Sequence, residues 1–142
     1  MKAFMSMKFH EGDVTKKLID DITEALKKVN IENYMLVRDV EKYGEVEVDK
    51  KDFMQKYAFP AISNSELMII EFSEKGVGLG IGAGYAYASQ VPIYIIAKTG
   101  SDISSTMNSL SQEVIFYDNP GELTQKFNEL IQSGKLKTKK VD

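Results

Sequence analysis

Between Gly76 and Gly84 every second residue is glycine. Inside a helix each glycine costs about 1 kcal/mol relative to alanine, so the run needs a reason. One reason is chemical: with no side chains in the way, a ligand can reach backbone N–H groups at a helix N-terminus, where the dipole favours anions. The other is close packing of a helix on a sheet. As a phosphate loop the segment is excluded, because no Gly-Lys-Ser or Gly-Lys-Thr occurs in it. As a dinucleotide fingerprint it is poor. Gly78, Gly80 and Ala83 match only the loosest spacing, they follow the third strand, and no acidic residue closes a following strand to hold a ribose.

The other groups able to do chemistry lie close by in the sequence. Glu71 ends an apolar run and Glu74 follows it, so either carboxylate could serve as an acid or accept bonds from sugar hydroxyls; the alternative is a solvated loop charge. Asp52 reads as a helix-start residue. His10 is the only histidine, which excludes a histidine cluster for a metal. Without cysteine the chain has neither disulfides nor thiolate ligands, a composition that fits a reducing compartment. No metal and no cofactor are expected.

These groups must be positioned by strands that alternate with helices. Apolar runs predict strands over 2–7, 33–37, 67–72, 91–97 and 114–117. Leu18, Ile19, Ile22, Leu26 and Val29 share one face of a helix over 13–29, with Asp13 as its N-cap. Residues 39–51 read as a charged, exposed loop. A helix follows over 52–63 with Pro60 kinking it, another continues from the glycine segment to Ser89, and a short one spans 102–109. Asp118-Asn119-Pro120 supplies the start of the last helix, whose inner face carries Leu123, Phe127, Leu130 and Ile131. Right-handed crossovers then give an α/β fold: a doubly wound, five-stranded parallel sheet in the flavodoxin-like order 2-1-3-4-5. Such sheets bind ligands beyond the carboxyl ends of their strands, where the winding switches, which means residues 6–12 and 73–80 here.

The 142 residues suit one core, read as a domain over 1–132 followed by a basic tail over 133–142 that carries Lys135, Lys137, Lys139 and Lys140 as a solvated end. A formal charge of −3 argues against nucleic acid as a partner. No run is long enough to span a membrane, and the first residues lack an apolar leader, so the expectation is a cytoplasmic protein.

The segment Val77-Gly78-Leu79-Gly80-Ile81-Gly82-Ala83-Gly84-Tyr85-Ala86 resembles the motif of the nucleoside 2-deoxyribosyltransferase family and of its relatives that hydrolyse 2′-deoxynucleoside 5′-monophosphates. Members typically read Val-Gly-Leu-Gly-Met-Glu-Leu-Gly-Tyr-Ala. The likeness runs over about residues 2–132 and takes in Phe4-Met5-Ser6-Met7-Lys8, Ile62-Ser63-Asn64-Ser65-Glu66-Leu67, Val91-Pro92-Ile93 and Ser105-Thr106-Met107. It implies that Ser6 and Lys8 hold a 5′-phosphate, lysine keeping the charge but not the fork of arginine. It implies that Gly76, Gly78, Gly80 and Gly82 line a nucleotide site, and that Ser105 and Met107 reach the site of a neighbouring subunit.

The departure from that pattern is chemical. The nucleophilic glutamate of the family falls on Gly82, its helix-borne acid on Ala58, and the polar residue that opens its motif on Gly76. Glycosidic cleavage needs a carboxylate at the anomeric carbon and an acid for the leaving base, and neither glycine nor alanine supplies one. The expectation is therefore a nucleoside- or nucleotide-binding relative without the transfer or hydrolysis. The alternatives are an active enzyme with a relocated carboxylate, Glu71 or Glu74 being the candidates, and an interaction module with a vestigial cleft. The aromatic residues Tyr57, Phe59, Tyr85 and Tyr87 predict a homo-oligomer, a dimer or higher, through the second and third helices.

Overall fold

The computed structural model describes residues 1–140. Five strands, β1 (Lys2–Met7), β2 (Glu32–Tyr34), β3 (Leu67–Glu71), β4 (Ile93–Lys98) and β5 (Glu113–Tyr117), form one sheet in the order β2-β1-β3-β4-β5. Every pairing is parallel, with Met5 opposite Ile69 and Ile70 opposite Ile95 at the centre. The expected topology and order are the observed ones.

The period-2 alternation of the strands sends side chains to two faces. Ala3, Met5, Ile69, Tyr94, Ile96 and Tyr117 pack against α1 (Asp13–Lys27) and α6 (Glu122–Gln132) through Ile19, Ile22, Leu26, Leu123 and Phe127. Phe4, Met68, Ile70, Ile93 and Ile95 meet Ile62, Leu79, Ala83, Ala86 and Met107 on the other face. There the helices are α3 (Phe59–Ser63), α4 (Val77–Ala88) and α5 (Ser105–Leu110). β3 is buried along its whole length, as a central parallel strand is. Each such Ile or Leu contributes roughly 1.5–3 kcal/mol by burial.

Several local expectations give way. Gly12, with φ 108, and not Asp13, stands at the N-cap of α1, and no side chain caps that helix. β2 stops at Tyr34 instead of Val37, because the chain turns at once into a short helix, α2 (Leu36–Asp39). Arg38 fixes that turn: its guanidinium donates to both carboxylate oxygens of Asp39 (3.0 and 2.8 Å), to the Asn33 carbonyl and to Thr23 Oγ1. Burial opposes ionisation of Asp39, but the hydrogen bonds from Arg38 and from the Met35 N–H hold its carboxyl below the usual value. The stretch expected as an open loop thus begins as ordered structure, and it continues in a 3-10 turn at Lys42–Gly44.

Asp52 caps nothing; it has φ 58, and its carbonyl accepts the Lys56 amide. Residues Met54–Ala58 coil as a π-helix and pass into α3 just before Pro60. A π turn is the adjustment available where proline withholds an amide donor. At α6 the cap is Gly121, and Glu122 reaches back to accept from the Asp118 and Asn119 amides (2.6 and 2.9 Å).

The basic segment keeps its lysine side chains mostly in solvent, but its backbone is pinned. The Lys137 amide donates to the Tyr94 hydroxyl (2.8 Å), the Lys139 amide donates to the Glu66 carbonyl (2.7 Å), and Leu136 packs on the core. A simple solvated end does not describe residues 135–139; residues 141 and 142 lie outside the described residues. No helix among the described residues is long and apolar enough to cross a membrane.

Candidate functional site

At the carboxyl ends of β1 and β3, where the sheet reverses its winding, a cavity of about 370 Å³ opens between the exit of β1 and the start of α4. Ser6, Met7, Lys8 and Phe9 form one wall, and Gly76, Val77, Gly78 and Gly82 form another. The floor is Met68 with Ala58 and Ile62. The remaining side is closed by Met35–Val37, Glu41, Phe53 and Met54. Most of the lining is apolar; among the described residues only Ser6, Lys8 and Glu41 bring polar or charged side chains to it.

Glycines 76 to 84 are not a loop before a helix: α4 begins at Val77, with Gly76 as its N-cap. Their reasons differ. A Cβ on Gly82 would stand 3.2 Å from the Met68 methyl and 3.7 Å from Ile62 Cδ1, so this glycine is a packing residue. A Cβ on Gly76 would rest on the Lys8 stem at 3.5 Å. At Gly78, Gly80 and Gly84 a Cβ would meet nothing within 4 Å, and no contact within the chain requires them to be glycine.

Of the expected binding residues, Ser6, Lys8, Gly76, Gly78 and Gly82 are brought together around the cavity. Gly80 is on the exposed side of α4. Ser105 and Met107 are remote from it on α5: Ser105 is exposed, and Met107 is 6% exposed within the core. Ser6 Oγ is buried without a hydrogen-bond partner. A hydroxyl so placed carries a desolvation cost of about 1–3 kcal/mol until something bonds to it.

Glu71 and Glu74 do not line this cavity. Glu71 faces the α1/α6 side of the sheet and is 3% exposed; its carboxylate accepts from the Ser73 amide (2.6 Å) and from the Tyr117 hydroxyl (2.9 Å), tying the end of β3 to β5. Burial, and then the neighbouring Glu71 carboxylate, push the Tyr117 phenol far above its ordinary value. Glu74 is half exposed and pairs with His10 at 2.6 Å. The two glutamates border a smaller chamber of about 210 Å³ with Lys98 and the start of α1. Among the described residues no three His, Cys, Asp or Glu side chains converge as metal ligands.

Glu41 is the cavity residue that sequence reasoning missed. It belongs to a charged stretch with no hydrophobic period, and nothing local distinguishes it from its neighbours; only the turn at 42–44 brings it to the wall.

No protein-family model matches the chain, and no sequence of a curated protein matches it. Solved structures do. A CMP N-glycosidase of Clostridium botulinum superposes with a TM-score of 0.64 at 19% identity, over 91% of this chain and 99% of that one. A 2-deoxyribosyltransferase of Bacillus psychrosaccharolyticus gives 0.67 at 12% identity, over 87% and 90%. A conserved protein of Enterococcus faecalis gives 0.66 at 9% identity, over 90% and 97%. The chain has the nucleoside 2-deoxyribosyltransferase-like fold.

Proposed function

We propose that the cavity holds a nucleoside or nucleotide and that the chain has lost the N-glycosidic transfer or hydrolysis of the enzymes whose fold it shares. The observation that carries this reading is the lining of the cavity. Ala58 and Gly82 stand where the resemblance puts the acid and the nucleophile, and the Met68 methyl packs against Gly82. An oxocarbenium-like sugar has no carboxylate there to stabilise it. Binding is supported by an apolar cavity of ligand size with few polar groups, an unpartnered Ser6 hydroxyl and a lysine, Lys8, in its lining. Calorimetry with nucleosides and their 5′-monophosphates should detect binding, and chromatography should detect no free base above a blank. Base release that Glu71→Gln or Glu74→Gln abolishes would favour the competing enzyme reading, in which a carboxylate of the second chamber carries the reaction.

A homo-oligomer, at least a dimer, belongs to the same proposal. α4 has no polar face: Val77 is 82% exposed, Ile81 48% and Tyr87 64%. Gly80 and Gly84 share that outward surface, with open space where their side chains would be. A second copy lying close along this helix gives those glycines the reason that the single chain does not. A cytoplasmic location completes the reading, supported by a chain without cysteine.

A further inference from the structure

Among the described residues Glu41 is the one carboxylate on the cavity wall, and the fold goes to some length to hold it there. Lys42, Tyr43 and Gly44 follow it with φ of 49, 58 and 90, three consecutive residues in left-handed conformations. For the two non-glycine residues this backbone is strained, of the kind that persists only where surrounding structure enforces it. The enforcement is visible: the Tyr43 ring packs against Phe9, with centroids 5.8 Å apart, and the Glu41 carbonyl accepts the Gly44 and Val46 amides. Phe9 is itself a cavity residue. The side chain is fixed as well. Lys50 Nζ donates to Glu41 Oε2 at 2.6 Å and lies 4.4 Å from the centre of the Phe53 ring, so one ammonium joins two pieces of the wall.

We propose that Glu41, positioned by Lys50, is the group that recognises the ligand in this cavity by accepting hydrogen bonds from its neutral donors, sugar hydroxyls or an exocyclic base amine. The identification of the ligand class rests on the binding reading above. A carboxylate has about four lone-pair sites and Lys50 occupies one. Because the ammonium already meets the negative charge, the cavity does not call for a cationic ligand. What remains is acceptor capacity on a residue that lines a mostly apolar cavity, whose one neutral polar side chain among the described residues is Ser6. A ligand without a matching donor would leave the carboxylate desolvated and short of partners, which is how a site of this kind discriminates.

The cavity carries its own reporters: Met54 and Met68 line it, and the Met68 methyl packs beside Gly82. Methyl-labelled methionine NMR of the full chain, titrated with ribonucleoside monophosphates and their 2′,3′-dideoxy forms, and with cytidine against uridine nucleotides, reads occupancy directly. Glu41→Ala should weaken the preferred ligand at least tenfold and erase the preference for hydroxyl over hydrogen, or for amine over oxo, whichever the wild type shows. Lys50→Met should give a smaller loss in the same direction. If Glu41→Ala collapses the methyl dispersion, Glu41→Gln, equal in shape but with a donor replacing one acceptor, carries the test. Retention of the wild-type affinity within twofold, or of the same preference, overturns the proposal. If no nucleotide shifts the wild-type methyls, the nucleotide reading fails by itself. Glu41 is then judged with 2-aminopyridine and glycerol. Shifts in the wild type that vanish in Glu41→Ala sustain its role, and equal or absent shifts overturn it.

Discussion

The methyl of Met68 lies 3.2 Å from the point where a Cβ on Gly82 would stand. Sequence alone suggests room at glycine, but a neighbouring side chain has moved into it, so the floor is repacked and not merely vacant. Gly82→Glu should therefore be costly: it sets a carboxylate against a Met68 methyl and Ile62, both from fully buried residues, and overpacking alone is worth about 1–3 kcal/mol. Met68→Ala in the same chain should return part of that loss. Urea midpoints of the single and double variants check this, and equal midpoints would show that Met68 is not what obstructs the position. Base release should require Ala58→Asp, Met68→Ala and Gly82→Glu together, because nucleophile and acid act as a unit.

If Lys8 holds a 5′-phosphate, it should separate monophosphates from nucleosides. Its stem lies over Gly76, and the residue lines the cavity. Lys8→Ala should lower affinity for a 5′-monophosphate about tenfold, the size of one screened charge-assisted contact, and leave the parent nucleoside unchanged. Calorimetry at two salt concentrations tests this, with the wild-type advantage for the monophosphate shrinking as salt rises. An equal loss for both ligands would remove the phosphate role.

Light scattering at micromolar concentration should give at least twice the 16.0 kDa of one chain. Ile81→Lys or Tyr87→Glu, each charging the outward face of α4, should return the single-chain mass without altering the far-ultraviolet spectrum. A wild-type protein that runs as one chain would leave Gly80 and Gly84 without an explanation.

What was legible beforehand follows from how local each signal is. Strand runs such as Leu67–Glu71, separated by amphipathic helices, specify a parallel sheet through period alone, and that reading located the glycine wall and the β1 exit. The sequence did not reveal which face Glu71 takes, because one step of register sends a strand residue to the opposite side. Nor did it reveal that Met68 fills the space beside Gly82, which depends on a rotamer three bonds long. Glu41 was hidden for a third reason: its position is set by tertiary contacts at Tyr43 and Lys50, 2 and 9 residues away, in a stretch without periodicity.

The tie between Glu71 and Tyr117 yields a pH prediction whose sign is fixed. The Tyr117 phenol is held protonated in the folded chain, its pKa raised above the ordinary 10.0 by burial and by the carboxylate it donates to. In the unfolded chain the same phenol ionises near 10. Below that pH both states carry the proton and the contribution is fully present. Above it the unfolded state binds fewer protons than the folded one, so stability falls as pH rises, by up to about 1.4 kcal/mol per unit for this one group. Tyr117→Phe removes the titration and leaves Glu71 Oε2 buried without that donor, at a cost of about 1–3 kcal/mol at neutral pH. Urea midpoints followed from pH 8 to 11.5 should show the variant starting lower and declining less steeply. The comparison is needed because burial also raises Tyr34, Tyr43 and Tyr94, which steepen the alkaline limb of both proteins alike. Parallel alkaline limbs would mean that Tyr117 ionises as readily in the folded chain as in the unfolded one.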